Sequence, residues 1–567
     1  MTIPQDLQAP LGDVLAGARL AASVIVLREA PADAPAPGVP QVLMLRRAER
    51  DNDLRSGVWV FPGGVLDAVD ATLHARCEGD TPEAANARLG LTDGALDYSV
   101  AAVRECFEEV GLLFAHSARC PATLPSAAER KASVTGGDFV ALCERHDLRL
   151  QLDALVYHSH WLTPPGIPKR FNTRFYVARL PEGQAAQADE GEAQELAWFT
   201  PAEALKAGLK LLPVTTRTLQ DLARFDTVQA ILDEARARQH PPMMMPRLGQ
   251  SAQGKGRPVL PDEPAWAEIG RLDPHGQGTV CFELPPLRAV ALSPRITRVT
   301  CNNGSVMTGP GTNTYLIAEP GSDEVTVLDP GPDDADTSAH LQAVMAAVGP
   351  RRVTRIVVTH THKDHSPAAQ ALKALTGAPL VGMAALHPEW QDTGFQPDQA
   401  VAEGEVLTLG AHTHLQAVHT PGHAANHLCW LLQEEATLFT GDHIMQGSTV
   451  VINPPDGDMA AYFRSLERLL AMELRWFAPG HGFLMAEPHA EVRKLLAHRR
   501  AREAKVLAAL KALGSATALA LVPVVYGDVP VQRHGIAARS LTAHLLKLAG
   551  EGVISARQGD EAMIWEA

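Results

Sequence analysis

Short apolar runs closed by turn residues recur along this chain, and they alternate with stretches whose apolar positions return every three or four residues. Up to residue 240 the runs AASVIVL, QVLMLRRA, VWVFPGG and FNTRFYVARL predict strands, and the periodicity from Ser99 to Phe114 predicts a helix. That mixture indicates an α/β domain over 1–240. Residues 241–292 change texture, becoming rich in Pro, Gly and polar side chains, and read as a linker with one or two strands near its end. The run Met243, Met244, Met245 within it is expected to serve packing. From 293 to 489 the runs TNTYLIAE, EVTVLDPG and RIVVTHTH predict strands around helices such as SAHLQAVMAAVG. Residues 490–567 open on a basic helix, EVRKLLAHRRAREAKVLAALKAL, and close on the helix SLTAHLLKLAGEG and a two-stranded wing, VISARQGDEAMIWEA. No internal repeat is evident.

Composition narrows this picture. A chain of 567 residues is too long for one core. Its net charge of −15 argues against a protein built mainly to coat nucleic acid. Seven scattered cysteines without a C-x-x-C pair suit a reducing compartment, and argue against a disulfide framework or a thiolate zinc site. The first residues carry no basic leader, and no stretch is apolar enough to span a bilayer, so a cytoplasmic protein with no membrane partner is expected.

The chemistry is concentrated in four punctuated blocks. RIVVTHTHKDHSP supplies His360, His362, Asp364 and His365; HTPGHAANH supplies His423; LFTGDH supplies Asp442; FAPGHG supplies His481. If strand character persists, His360 and His362 project to one side. Each block follows an apolar run and contains Gly or Pro, which suits side chains carried on loops over a rigid sheet. A lone histidine is usually an ordinary core or surface residue, but imidazoles and carboxylates in this number are the ligands of divalent zinc, iron or manganese.

The H-x-H-x-D-H block with the later TPGH, GD and PGHG blocks resembles the metallo-β-lactamase superfamily over Arg295–Leu484. The resemblance implies an αββα sandwich over 293–489 holding two divalent metals, with zinc the expected ion. It puts His360, His362 and His423 on the first metal and Asp364, His365 and His481 on the second, with Asp442 between them. It also implies hydrolysis by a bridging hydroxide, with Asp364 in the catalytic set. His419, His427 and His443 are not ligands by that pattern, although His427 and His443 could support ligands from behind.

TCNNGSVMTGPGTNTYLI and the tail resemble the lactamase-β-like group with a winged-helix domain, one type of which is an endoribonuclease acting on single-stranded RNA. From Ala490 to Ala567 there are eleven Lys and Arg against seven Asp and Glu, so the tail is +4 and the rest of the chain −19. A basic winged helix beside a hydrolytic site could feed RNA to it through phosphate contacts, or the tail could pack on the catalytic domain or a partner subunit. Arg499, Arg500 and Arg502 could equally be a solvated helix face. The packing role is favoured, because no aromatic platform for bases is evident.

AAVRECFEEVGLLF places Arg104, Glu105, Glu108 and Glu109 on one helical stretch. Carboxylates crowded at this spacing repel unless a cation lies among them. With Gly63 and Gly64 upstream, the pattern resembles the Nudix box G-x5-E-x7-R-E-U-x-E-E-x-G-U, with Cys106 in a bulky aliphatic slot and Asp70 in the first glutamate slot. Asp70 and Arg104 are 34 positions apart where the pattern has eight, leaving 26 extra residues. Such an insertion, and the run WLTPPGIPKRFNTRFYVARLPEGQ, are similar to the coenzyme A diphosphatase subgroup. The resemblance implies magnesium or manganese on Glu105, Glu108 and Glu109, which would also be catalytic, with Glu190, Glu192 and Glu195 as further candidates.

The expectation is a multidomain α/β and α+β protein: a Nudix-like α/β/α domain, a linker, a metallo-β-lactamase sandwich and a winged helix. It would be a metal-dependent hydrolase with a second, diphosphate-cleaving site for coenzyme A or a related nucleotide. The alternatives are cleavage of single-stranded RNA, hydrolysis of acyl thioesters, and a nucleotide-sensing regulator with an inactive Nudix domain.

Overall fold

The structure is a computed structural model that describes residues 14–48, 56–117, 125, 136–187, 193–560 and 562–567. Two compact units divide the chain: one extends to Leu248 and includes His275–Gln277, and the other comprises Gly249–Pro274 and Gly278–Ala567.

In the first unit the long strand Ala18–Glu29 is central to a mixed sheet. It pairs parallel with Arg170–Arg179 and antiparallel with Pro40–Arg47 and Gly63–Val65. Its alternate residues Ala22, Val24 and Val26 join Val100, Val103 and Phe107 of the helix Ala95–Val110 in one buried core. That helix stops before Gly111, earlier than the periodicity suggested, because Leu112, Leu113 and Phe114 turn inward toward a short strand, Ala115–Ser117. The residues inserted after Asp70 fold as a 3-10 turn and a helix, Pro82–Leu89, which Thr81 caps by accepting a 3.2 Å hydrogen bond from the Ala84 N–H. Leu73, Ala85 and Leu89 anchor this insert in the core. Met243 and Met244 pair with His160 and Trp161 at the sheet edge while Met245 is buried.

The second unit is a sandwich of two sheets, one spanning strands between Ala289 and Ala400 and the other between Val406 and Ala486. Facing residues such as Ile317, Val357, Leu415, Trp430 and Phe439 fill the space between them. The helices Thr337–Val348 and Ala368–Thr376 cover the outside of the first sheet, and Met459–Leu469 covers the second.

The stretch expected to be a linker is largely built into this unit. It contributes a strand at Gly256–Val259 and a helix at Trp266–Leu272, whose Trp266 and Ile269 pack with Phe483. Glu268 of that helix receives both arms of Arg298 at 2.7 and 2.9 Å, and it also accepts from the Leu484 N–H at 2.8 Å. Its Pro and Gly content resembles that of a linker, but Trp, Ile and Glu at three positions supply tertiary anchors.

The tail is a winged helix. Pro488–Leu513 leads into the helices Ala518–Val525 and His534–Gly550, and the wing strands Ser555–Gln558 and Met563–Glu566 are joined by a third strand, Ser515–Thr517, that the sequence reading lacked. Arg499 and Arg502 are buried: Arg499 donates to the Val450 carbonyl, and Arg502 forks onto Asp528 at 2.7 and 2.9 Å. Arg500 pairs with Glu467. Arg499 thus ties the tail to the sandwich and Arg502 braces the tail internally, so a solvated helix face describes only Arg500, whose pair with Glu467 is exposed.

Because both partners of the Arg298–Glu268 pair are buried, Arg298→Met should leave an uncompensated carboxylate and lower stability by about 3–5 kcal/mol. The double change Arg298→Met/Glu268→Leu should recover most of that loss, as read from the denaturant midpoint of the full chain.

Candidate metal centre and carboxylate helix

Strands Glu324–Leu328 and Arg352–Val357 run parallel in one sheet, and Thr437–Gly441 and Trp476–Pro479 run parallel in the other. The loops that leave their C-terminal ends carry Asp329, the His360–His365 block, Asp442 and His481, and the loop after Thr413–His419 adds His423. The strand before His360 ends at Val357, so His360 and His362 meet through the loop rather than by strand alternation.

Two groups form. His360, His362 and His423 offer ring nitrogens within 4.8 Å of one another, and so, separately, do the donor atoms of Asp364, His365, Asp442 and His481. Asp442 faces both: Oδ1 lies 3.2 Å from His481 Nε2 and 3.4 Å from His365 Nε2, while Oδ2 lies 3.7 Å from His423 Nε2. Asp364 Oδ2 is 3.4 Å from His481 Nε2. Gly480 is required here, since a Cβ would come within 2.8 Å of His365 and 2.9 Å of Asp442.

Each imidazole uses one nitrogen to fix its orientation. His423 Nδ1 donates to the Val451 carbonyl at 2.8 Å, and His481 Nδ1 donates to the Gly311 carbonyl at 3.2 Å. His365 Nδ1 lies 3.0 Å from Asp329, and His362 Nε2 lies 2.9 Å from Asp456. Thr359 donates to Asp329, so its hydroxyl oxygen accepts from His360 Nδ1 at 3.0 Å. The opposite atoms, Nε2 of His360, His365, His423 and His481 together with Asp442 Oδ1, are buried without a hydrogen-bond partner. Buried polar atoms left this way are costly unless something binds them. The donor set therefore fits divalent cations.

Electrostatics differ between the groups. Burial and the neighbouring imidazoles hold His360 well below its ordinary pKa, and burial with His362 brings His423 down to about 4, so both rings are neutral and available as ligands. Burial would lower His481 too, but Asp442 and Asp364 outweigh it and raise the ring to about 9. The second group is thus a place that favours positive charge.

Sequence reasoning missed Asp329 and Asp456. Asp329, with φ 51°, ends an apolar strand in the run VLDPG, and an acid at that point was a usable signal; Asp456 in NPPDGD had none. His427 accepts from the Asp442 N–H at 3.2 Å, while His443 packs near Tyr462 with neither ring nitrogen hydrogen-bonded. His419 turns away to the Ala425 carbonyl.

In the first unit Arg104 organises the carboxylates. It forks onto buried Asp70 at 2.8 and 3.1 Å and reaches Glu105 at 2.8 Å and Glu108 at 3.0 Å. Glu109 accepts from the Gly63 N–H at 2.8 Å, and a Cβ on Gly64 would overlap the Glu105 carboxylate. Burial raises Glu108 to about 7, against the opposing pull of Arg104, and its Oε1 has no hydrogen-bond partner. Asp70 thus fills the first acidic slot despite the insertion, as a partner for arginine. Glu195 is exposed on the strand Ala193–Phe199, and Glu190 and Glu192 lie outside the described residues.

A site of buried imidazoles and carboxylates over a two-sheet sandwich defines a metal-dependent hydrolase, and comparison with known proteins agrees. Family models match in three places: the metallo-beta-lactamase superfamily over residues 307–481, the NUDT19 Nudix domain over 82–210, and the beta-lactamase associated winged helix domain over 517–565. An atrochrysone carboxyl ACP thioesterase of Aspergillus fumigatus is 31% identical over 268 residues, covering 45% of this chain and 80% of that protein. A beta-lactamase-like protein 2 homolog of Drosophila melanogaster is 31% identical over 287 residues, covering 46% and 93%. Among solved structures, a beta-lactamase domain protein from Burkholderia ambifaria covers 50% of this chain and 95% of its own at 19% identity and TM-score 0.45. The chain belongs to the metallo-β-lactamase superfamily and also contains a Nudix domain and a winged helix. No described helix is long and apolar enough to cross a membrane.

If Asp456 orients a ligand through His362, Asp456→Asn should weaken metal retention by about 10–100-fold with little change in fold. Competition against a chromophoric chelator, alongside circular dichroism, reads both.

Proposed function

We propose that the second unit hydrolyses thioesters, using a pair of divalent metals, zinc by donor type. His360, His362 and His423 would hold one ion, Asp364, His365 and His481 the other, and Asp442 both. The observation that carries this reading is Asp442, whose two oxygens face the two donor groups. Thioesters are favoured as substrates because the A. fumigatus relative is named as a thioesterase.

Bound metals would supply an activated water at neutral pH and polarise the substrate carbonyl. The chain's own residues set the geometry: the Thr359, Asp329, Asp456, Val451 and Gly311 contacts orient the five rings, one each. Asp364, with 28% of its side chain exposed, is the more accessible acid of the set and would be the one to take a proton from water. A thiol leaves as its anion near neutrality, since its pKa is about 8.5, so the departing sulfur needs no strong acid beside it. The winged helix fits the packing role, with Arg499 and Arg502 already committed to internal partners.

In the first unit Glu105, Glu108 and Glu109 would hold magnesium or manganese for cleavage of a diphosphate, in coenzyme A or a related nucleotide. The unpartnered Glu108 oxygen supports this reading. A carrier such as coenzyme A contains both bonds, a thioester when acylated and a diphosphate always.

Metal-loaded protein offered acyl thioesters, coenzyme A and single-stranded RNA should cleave the first two. Asp442→Asn should reduce thioester turnover by at least about a hundredfold, and Glu109→Gln should do the same to diphosphate cleavage. Cleavage of RNA that is lost in Asp442→Asn, with thioesters untouched, would overturn the thioesterase reading.

A further inference from the structure

A cavity of about 220 Å³ in the second unit shares His481 with the metal centre. Its walls come from Pro264, Met307, Pro310, Met445 and Phe483; Ser448 also lines it, and among the described residues no Asp, Glu, Lys or Arg does. Gln446 also borders it, but both ends of its amide are occupied: Oε1 accepts from the Phe483 N–H at 2.8 Å and Nε2 donates to the Pro264 carbonyl at 2.9 Å. Apart from the Ser448 hydroxyl and the His481 ring, the lining therefore offers a ligand mainly apolar surface.

The rim carries the same character. Val306 and Met307 are 72% and 47% exposed. They sit on a turn closed by the Ser305 N–H to Gly309 carbonyl bond at 3.0 Å and by Ser305 Oγ, which accepts from the N–H groups of Met307 and Thr308 at 3.1 Å each. Two neighbouring apolar side chains held in water on a fixed turn, at the mouth of an apolar cavity, are arranged to be covered by something apolar. The opposite wall explains why the segment before the sandwich is anchored so firmly. Pro264 immediately precedes the helix bearing Trp266 and Glu268, and Phe483 is fixed between Glu268's hold on the Leu484 N–H and the Gln446 amide.

We propose that this cavity seats the acyl chain of the thioester, a proposal that rests on the thioesterase reading above. With the carbonyl carbon at the metal centre, the chain would run past His481 between Met445 and Phe483 toward Met307. The volume has room for about seven groups the size of a water, at about 30 Å³ each. The substrate class is therefore thioesters of unbranched, uncharged acyl groups of roughly four to eight carbons. The reaction breaks the carbonyl–sulfur bond, forms a carbonyl–oxygen bond from water, and releases a carboxylate and a thiol.

The test uses full-length zinc-loaded protein and N-acetylcysteamine thioesters, which contain no diphosphate for the first unit to act on. The acyl series is acetyl, butanoyl, hexanoyl, octanoyl and dodecanoyl, and hexanoyl is also offered on pantetheine. In the wild type kcat/KM should rise by about threefold or more per methylene up to hexanoyl or octanoyl, and fall for dodecanoyl. Met445→Ala should move the preferred length to a longer chain. The exposed Met307→Gln should flatten the rise, lowering hexanoyl turnover by about tenfold while changing acetyl by less than about twofold. A length-independent wild type, or variants that slow acetyl and hexanoyl equally, would overturn the acyl seat and leave the thioesterase reading standing. A changed preference between the two thiols in Met445→Ala, with no change in chain length, would assign the cavity to the thiol instead. Absence of cleavage across the whole series would remove both readings together.

Discussion

The second unit is organised around a single electrostatic constraint: buried donor atoms with no hydrogen-bond partner must be held facing one another. Four imidazole Nε2 atoms and one carboxylate oxygen of Asp442 are in this state. Left to relax, each would turn toward a protein partner or toward water, because an unpartnered buried polar atom forfeits the hydrogen bonds it makes in solvent. What prevents this is the opposite nitrogen of each ring, tied to a carbonyl or carboxylate for His365, His423 and His481 and to the Thr359 hydroxyl for His360. Those loops leave strands that point the same way in two facing sheets, so sheet packing sets the separation of the donors.

Asp329 ties the two donor groups together. One of its oxygens takes the His365 ring and the Thr359 hydroxyl, and the other accepts from the Thr359 N–H at 2.7 Å. Thr359 in turn steadies His360. One buried carboxylate therefore sets a ring in each group, and a displacement of its strand end would disturb both together. This is why an acid that touches no prospective metal can matter as much as one that does.

The grouping of these donors was legible in the sequence because they come in short blocks beside glycine and proline, and so many imidazoles and carboxylates in such blocks rarely serve as ordinary core residues. The supporting acids were harder to see. Asp456 is one acid in a turn-rich run, and its value arises only when His362, 94 positions away, folds against it. The same limit hid the role of residues 249–292, whose composition describes local flexibility while Glu268 and Arg298, 30 positions apart, supply the long-range anchor. Likewise the charge of Arg499 and Arg502 was visible, but their burial was not, and burial converts a possible phosphate surface into internal struts. In the first unit the 26-residue insertion obscured the Asp70–Arg104 pair in sequence without breaking it in space. Closing a longer loop adds little entropy cost, and Leu73, Ala85 and Leu89 give the insert its own place in the core.

The two sites also divide by the hardness of their donors. The first unit presents carboxylate oxygens arranged by one arginine, a set that suits a small, strongly hydrated cation facing phosphate oxygens. The second presents five imidazoles with two aspartates, a set that suits a softer ion able to polarise a carbonyl. Arg104 and Asp442 play comparable parts in these different settings. Each is buried, each reaches several members of its group, and each limits mutual repulsion in a cluster that would otherwise spread. Arg104 does so as a cation among acids, so its group already contains part of the positive charge it needs. Asp442 does so as an anion that raises the neighbouring His481 ring to about 9, so its group draws positive charge either from a proton or from what it binds.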